Sequence, residues 1–414
     1  DHPVPDERPV DEQLADLRVR IDSVDQQLLD LLNQRARLAQ AVGEVKKIDG
    51  SPVFRPDREV QVIEGLKQAN PGPVLADSIG PIWREIMSAC RALEARQRVA
   101  FLGPVGTFSE QAALRYFGSS IDAIACANID EVFRATVSGS ADFGVVPVEN
   151  STEGVVARSL DLLLQSPLTI IGETSLLVQH NLLRLTPSRE GIQVVAAHPQ
   201  ALAQCQGWLS QHLPHAERHA VSSNAEGARL AATNPAWAAL ASERAASQFG
   251  LHIVHHAIQD EAFNRTRFAV ITLPQTLATP PASGKDCTSL VVSVPNRPGA
   301  VHDLLVPLKN NGVSMTRFES RPAKSGQWEY YFYIDLQGHI SEPHVAAALQ
   351  ELQSLCAFYK VLGSYPVPEW ARGEIRTPGP DWLRPDGRLV CACASPSGPG
   401  AAHHRFQRLR KNTP

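Results

Sequence analysis

The stretch VAFLGPVGTFSEQAA, residues 99–113, marks the point where the hydrophobic rhythm of the chain changes. Four apolar residues lead into a Gly-Pro turn, a second glycine, and then a threonine before a run that suits a helix. A short apolar strand, a tight turn and a hydroxyl-opened helix are the parts of α/β architecture. The same strand-to-helix junction is read in FGVVPVENSTEGVV, VVAAHPQALAQC, HAVSSNAEGARL and AALASERAASQFG. Each sets backbone N–H groups and a hydroxyl or amide at a helix N-terminus, where an anion is favoured. One such junction is an ordinary cap, but five in one region suggest an anion-binding cleft at the strand ends.

Upstream of Val99 the rhythm is a heptad: Leu14, Leu17, Ile21, Val24, Leu28, Leu31, then Leu38, Val42 and Val45. Arg35 breaks this seam, and a buried seam arginine costs stability unless an anion or a register-setting role meets it. Lys46 follows eleven residues later on nearly the same face, about 16 Å along the axis, so two long cationic side chains can close on a small anion. Arg18 lies about 25 Å before Arg35 and is turned away from it, so it reaches that site only from an antiparallel partner helix. SPVFRPDREV then supplies a turn and a helix start with Pro56 at its first position, and a third helix is expected over 76–98. Three helices cannot bury so long a seam alone, and dimerisation is the expected solution.

Downstream, TLATPPASGKDC is rich in Pro, Ser and Gly and marks a boundary near 275–286. The segments TSLVVSV, AVHDLLVPLKNN, VSMTRFES, WEYYFYIDLQ, PHVAAALQEL and FYKVLGSY read as strand, helix, strand, strand, helix, strand. That order describes a ferredoxin-like βαββαβ unit. From Pro366 the chain is dense in Pro, Gly and Arg without periodicity, and residues 366–414 are expected to be a disordered tail or a frameshifted end.

A chain of 414 residues is expected to form several domains. Its 39 basic and 43 acidic residues give a net charge of −4, which argues against a nucleic-acid partner. No apolar run approaches a membrane span, and the N-terminus is acidic rather than signal-like. The seven cysteines are scattered without metal-ligand spacing, which suggests reduced thiols in a cytoplasmic protein without a metal site. GPVGTF lacks the GK[ST] of a P-loop, no GxGxxG follows a strand, and His198, His255 and His256 lack a ligand constellation. No cofactor is expected.

Three families are resembled in turn. The run from LADLRVRID through PVFRPDREV to EIMSACRALE, residues 12–98, resembles the all-helical chorismate mutases. The resemblance implies that Arg35 and the partner chain's Arg18 hold the carboxylates of chorismate while Lys46 and Glu94 flank its ether oxygen. It also implies substrate contacts at Arg58, Glu59 and Cys90, with Arg55 where some relatives place an aspartate. Lys46 suits the charge that develops on the ether oxygen as the C–O bond breaks, whereas Glu94 suits it only when protonated.

The motifs GPVGTFSEQAA, VVPVENSTEGVV, AHPQALAQC and NRTRFAVI resemble prephenate dehydratase over residues 99–275. This implies a two-lobed α/β fold like the periplasmic binding proteins, with the second lobe inserted roughly between 178 and 268. Thr266 is then the catalytic residue, and Thr107, Asn150, Ser151, His198, Gln200, Ser222, Arg267 and Phe268 line the cleft, Arg267 pairing with a substrate carboxylate. RPGAVHDLL and TRFESRP resemble the ACT regulatory domain over 286–365, which implies phenylalanine binding at a domain dimer interface. Gly299, Ala300, Val301 and His302 match its first motif, and Glu319, Ser320, Arg321 and Pro322 its second. His302 stands where some relatives have valine.

The three resemblances imply a cytoplasmic homodimer or higher homo-oligomer that takes chorismate through prephenate to phenylpyruvate and is inhibited by phenylalanine. A rival reading is an amino-acid-binding regulator built from a solute-binding fold and a sensor domain. The tripeptide TRF occurs at 266–268 and again at 316–318, and the recurrence is read as accidental, with Thr316 outside the chemistry.

Overall fold

The computed structural model describes residues 8–323 and 329–367. Helices α1 (Val10–Asp49), α2 (Pro56–Ala69) and α3 (Ala76–Glu94) form the N-terminal part. Asp11 and Glu12 sit at the positive end of α1 and Lys46 and Lys47 at its negative end, and Gly50 stops it in a left-handed conformation at φ 73°. The heptad seam is bare within one chain: Ile21 is 58 % exposed and Leu31 60 %, and Gly43 is the one buried residue of α1. Pro56 opens α2 as expected. Helix α3 ends four residues short of the expected Arg98, because Ala95 turns extended and Arg98 enters the first strand.

Strands β1 (Arg98–Leu102), β2 (Asp122–Cys126), β3 (Phe143–Asn150), β4 (Gly154–Val155) and β5 (Thr169–Leu177) alternate with α4 (Phe108–Phe117), α5 (Ile129–Val137) and α6 (Ala157–Gln165). The chain then crosses to a second lobe made of β6 (Asn181–Arg184), β7 (Val194–Ala197), α7 (Pro199–Gln204), α8 (Gln206–His212) and β8 (Glu217–Ala220). This lobe is completed by α9 (Asn224–Ala231), β9 (Trp237–Ala241), α10 (Glu243–Phe249) and β10 (His252–His255). It returns through β11 (Arg265–Thr272), which enters the first sheet between β3 and β5, antiparallel to both. The sheet orders are β2-β1-β3-β11-β5, with β4 on β3, and β10-β6-β9-β7-β8. The second lobe is therefore an insertion, as expected, ending just before Arg265.

The C-terminal unit comprises β12 (Asp286–Ser293), α11 (Ala300–Asn310), β13 (Met315–Pro322), β14 (Tyr330–Gln337), α12 (Pro343–Leu355) and β15 (Phe358–Pro366), the expected βαββαβ order. Its sheet, β13-β14-β12-β15, packs Leu290, Val292 and Ile334 against its own helices. The other face shares an apolar core with the first lobe, where Val291, Tyr333, Leu362 and Tyr365 meet Leu160, Leu163, Ile170 and Ala269. Backbones touch here: a Cβ on Gly363 would lie 2.1 Å from the Ile170 carbonyl oxygen, so position 363 admits glycine alone without movement. The tail expected from Pro366 lies, beyond Val367, outside the described residues. No helix among the described residues is long and apolar enough to cross a membrane.

Candidate active sites

The first candidate site forms where α1 passes α3. Arg35 Nη1 lies 3.1 Å from Cys90 Sγ. Eight residues further along α1, a Cβ on Gly43 would fall 2.6 Å from the Glu94 carboxyl, so the missing side chain makes room for it. Lys46, near the end of α1, donates to the Val53 carbonyl oxygen at 3.2 Å. Arg35, Lys46, Cys90 and Glu94 thus share one side of the helix pair. Glu94 Oε2 is buried and has no hydrogen-bond partner among the described residues. A buried carboxyl oxygen in that condition is costly unless a ligand or proton satisfies it.

The other expected contacts divide. Arg18 lies on an exposed stretch of α1, far from Arg35 along the same helix, and Arg58 is exposed. Arg55 pairs with Asp57 through bonds of 3.0 and 2.7 Å. Glu59 pairs with Arg91, and burial raises its carboxyl against the pull of that arginine. The motif reading gave no role to Arg91, although the residue is 7 % exposed. It binds Glu59 of α2, donates to the Phe117 carbonyl oxygen at 2.6 Å and stacks 4.9 Å from the Phe54 ring.

The second candidate site lies where the two lobes meet. Thr107, His198, Ser223 and Ser242 each cap a helix with a side-chain acceptor, so four of the five junctions hold. The fifth is corrected: VENSTEGVV forms a β3–β4 hairpin, and α6 begins at Ala157 without a side-chain cap. The cap on α9 is Ser223, and Ser222, expected to line the cleft, is exposed beside it. Asn150 Nδ2 donates to Thr266 Oγ1 at 2.9 Å across the β3–β11 rung. The Asn150 carbonyl in turn accepts from the backbone of Thr152 and Glu153, which fixes the amide's orientation. With its oxygen lone pair engaged by Asn150, the Thr266 hydroxyl proton is available to another acceptor.

Ser151 ties the hairpin to the returning chain, accepting from Arg265 N at 2.8 Å and donating to the Phe263 carbonyl oxygen at 3.3 Å. Glu153 bridges the lobes, binding Gln200 through one carboxylate oxygen and Gln204 through the other at 2.9 Å. Nothing in the local sequence marks Glu153 for this role. Phe268 is 1 % exposed and sits in the aromatic core rather than at the cleft surface.

Arg267 overturns its expectation. It follows Thr266 on the strand and so faces the opposite side, toward the C-terminal sheet. There it lies 3.4 Å from Glu149, 3.4 Å from Glu173 and 3.2 Å from Asp335. Three carboxylates already engage it, so a substrate carboxylate in the cleft is not its partner. Glu173 is 6 % exposed, and burial, reinforced by Asp335 and opposed by Arg267 and Arg317, lifts its carboxyl to about 7. A raised carboxyl binds its proton more tightly folded than unfolded, so its contribution is full below pH 4.5 and lost as pH rises toward about 7. Glu173→Gln, which imitates the neutral acid, is expected to be more stable than the parent at pH 8 by on the order of 3 kcal/mol and to flatten the decline from pH 5. Urea midpoints at the two pH values check this; parallel declines in both proteins would refute it.

In the C-terminal unit, Gly299 opens α11 in a left-handed conformation at φ 79°, Ala300 is buried, and Val301 and His302 are exposed. His302 lies 3.3 Å from Asp303. On β13, Glu319 is half-buried and Ser320 and Pro322 are exposed, whereas Arg321 turns to Asp161 of α6 at 3.1 Å. Asp161, Arg321, Tyr331, Tyr333 and Phe358 line a cavity of about 370 Å³ between the two domains. Five cysteines among the described residues are free, and those residues include no cluster able to hold a metal. Cys391 and Cys393 lie outside the described residues.

A helical unit with a cationic pocket, a two-lobed α/β unit with a polar cleft, and a ferredoxin-like unit packed on it define a multidomain enzyme of small anions with an attached regulatory module. Residues 17–95 match the family Chorismate mutase type II, 99–276 Prephenate dehydratase, and 288–353 ACT domain. The chain is 48 % identical over 361 residues to the bifunctional chorismate mutase/prephenate dehydratase of Neisseria gonorrhoeae, covering 86 % of this chain and 98 % of that protein. Among solved structures, prephenate dehydratase from Arthrobacter aurescens in complex with L-Phe is 31 % identical with a TM-score of 0.59, over 71 % of this chain and 92 % of the other. A protein described as a novel type of quorum quenching acylase, GqqA, is 29 % identical with a TM-score of 0.61, over 67 % and 100 %. The chain belongs to the bifunctional chorismate mutase/prephenate dehydratase family. It is an isomerase and a carbon–oxygen lyase of phenylalanine biosynthesis, carrying chorismate through prephenate to phenylpyruvate. The rival regulator reading falls with that result.

Proposed function

We propose that chorismate is rearranged between α1 and α3 at a site completed by a second chain, and that prephenate loses CO₂ and water in the cleft beside Thr266. In the first reaction no nucleophile or proton transfer is required. Arg35 and the partner's Arg18 hold the two carboxylates in the reactive conformer, while Lys46 and Glu94 flank the ether oxygen, Lys46 stabilising the charge that grows on it. The bare seam of α1 supports the second chain, because leucine and valine at half exposure along a 40-residue helix need a partner surface.

In the second reaction, aromatisation supplies the driving force and the enzyme assists departure of hydroxide. Thr266 donates a hydrogen bond to the leaving oxygen, and the observation that carries this role is the Asn150 amide on its Oγ1. Thr107, Ser151, His198, Gln200 and the exposed Ser222 supply the polar cleft around it. Phenylalanine binds the ACT domain through the Gly299–His302 and Glu319–Pro322 motifs and inhibits by favouring one conformational state.

The shared site has a direct test. Arg18→Ala and Arg35→Ala chains, each inactive as a mutase, are expected to regain up to about a quarter of parental activity when mixed, since hybrid dimers hold one intact site of the two. Failure to recover activity after proven subunit exchange would confine the site to one chain.

A further inference from the structure

The two TRF tripeptides are linked after all, through their arginines. Arg267 reaches Glu149, Glu173 and Asp335, and Arg317 lies 3.7 Å from Glu149 and 3.8 Å from Asp335. A closed ring runs through this cluster. Arg267 Nη1 meets Glu173 Oε1 at 3.4 Å, and Glu173 Oε2 meets the Tyr365 hydroxyl at 3.2 Å. That hydroxyl lies 2.8 Å from Ser289 Oγ, which donates to Asp335 Oδ1 at 2.6 Å. Asp335 Oδ2 accepts from Arg267 Nη2 at 3.2 Å and closes the circuit. The dehydratase domain supplies Arg267 and Glu173, and the ACT sheet supplies Ser289, Asp335 and Tyr365.

The protons can be counted. Three oxygen–oxygen contacts join Glu173, Tyr365, Ser289 and Asp335, but the two hydroxyls hold only two protons between them. Tyr365 donates to Glu173 Oε2 and Ser289 donates to Asp335 Oδ1, so the contact between the two hydroxyls is the link without a proton of its own. Each hydroxyl thus serves one carboxyl group, and Arg267 and Arg317 face the same cluster.

The ring lies directly behind the dehydratase reaction. Thr266 precedes Arg267 on β11, Asn150 follows Glu149 on β3, and the rungs Thr266–Asn150 and Arg267–Glu149 are adjacent. One step further the ladder slips, pairing Phe268 with Pro147 and leaving Val148 as a bulge. A bulge bends its strand and re-aims the side chains beside it, so its geometry depends on what holds it. Proline, having no N–H, suits this interruption. Arg267 provides the hold, and one of its three carboxylate anchors, Asp335, belongs to another domain.

We propose that Arg267 is a positioning residue for prephenate dehydration, clamped by Asp335 so that Thr266 and Asn150 stay aligned, and that effector binding in the ACT domain reaches the reaction through this ring. The inference rests on the assignment of Thr266 and Asn150 to the reaction. A displacement of about 1 Å at a reacting group can cost on the order of 10²-fold in rate, so a modest shift of the clamp is enough.

The test uses the full chain carrying Asp335→Asn or, as a change that alters no charge and removes only the ring hydroxyl, Tyr365→Phe. Mutase activity in the same preparation reports folding. Asp335→Asn is expected to lower dehydratase kcat by about tenfold or more and leave KM for prephenate within about twofold. Tyr365→Phe should have the same signature at about threefold. L-Phenylalanine should still bind both variants by calorimetry, yet inhibit dehydration less than half as strongly. Unchanged kcat in both variants, or a loss expressed in KM alone, would overturn the positioning role. Inhibition that stays intact, or is lost together with phenylalanine binding, would overturn the relay. Turnover retained in Thr266→Ala would instead sink the underlying catalytic assignment, whatever the ring variants do.

Discussion

Thr266→Ala is expected to lower dehydratase turnover by about 10²- to 10⁴-fold, the usual worth of a positioned proton donor, while the same chains rearrange chorismate at the parental rate. The reason is directional. Asn150 donates into Thr266 Oγ1 at 2.9 Å, and the amide is itself locked by two backbone donors, so the hydroxyl proton points away from Asn150. Alanine removes the proton and leaves the Asn150 amide facing an apolar methyl. Thr316→Ala is the control, because that hydroxyl donates to the Asp335 carbonyl oxygen at 3.2 Å and lies on the sensor strand. Phenylpyruvate formation from prephenate, measured with both variants, decides it. Turnover within tenfold of the parent in Thr266→Ala would remove Thr266 from the chemistry.

The second large effect belongs to Lys46. Its ammonium holds the Val53 carbonyl oxygen at 3.2 Å at the end of α1, beside the pocket that Gly43 opens for Glu94. Lys46→Ala is expected to reduce mutase kcat by about 10²- to 10³-fold, as removal of one preorganised donor from a developing oxyanion does. The effect should fall on kcat more than on KM, because the ether oxygen gains charge only as its bond breaks. Dehydratase activity should be unchanged. A mutase loss confined to KM would assign Lys46 to ground-state binding of a carboxylate instead.

Much of this was legible in the residues, for reasons that can be named. Arg35 stood out because a cation in an apolar heptad needs an explanation, and the structure sets it against α3 beside Cys90. The ferredoxin-like order followed from alternating apolar runs. Arg267 departs from its expectation for a reason the strand period contains: neighbours on a strand face opposite ways, so Thr266 and Arg267 do not both line one cleft. The VENSTEG junction reads as a helix start because its turn residues suit either a cap or a hairpin. Gly43 gave no signal, since a helical glycine without positive φ has meaning only once Glu94 packs over it. The convergence of Arg267 and Arg317 on Asp335 joins residues 50 positions apart in different domains, and no local pattern encodes it.

Phe54 carries a consequence for where one domain stops and the next begins. It belongs by sequence to the mutase, in the loop between α1 and α2, yet it is 3 % exposed among rings of the dehydratase. It lies 5.3 Å from Phe117 and 5.5 Å from Phe143. Cutting the chain ahead of Val99 to isolate the dehydratase would open a phenylalanine-sized hole in that domain's core. Losing a buried phenylalanine side chain costs roughly 3–5 kcal/mol, a large share of a domain's stability. The mutase thus contributes an internal part of its neighbour, and separating the two activities on different chains requires a replacement for that ring.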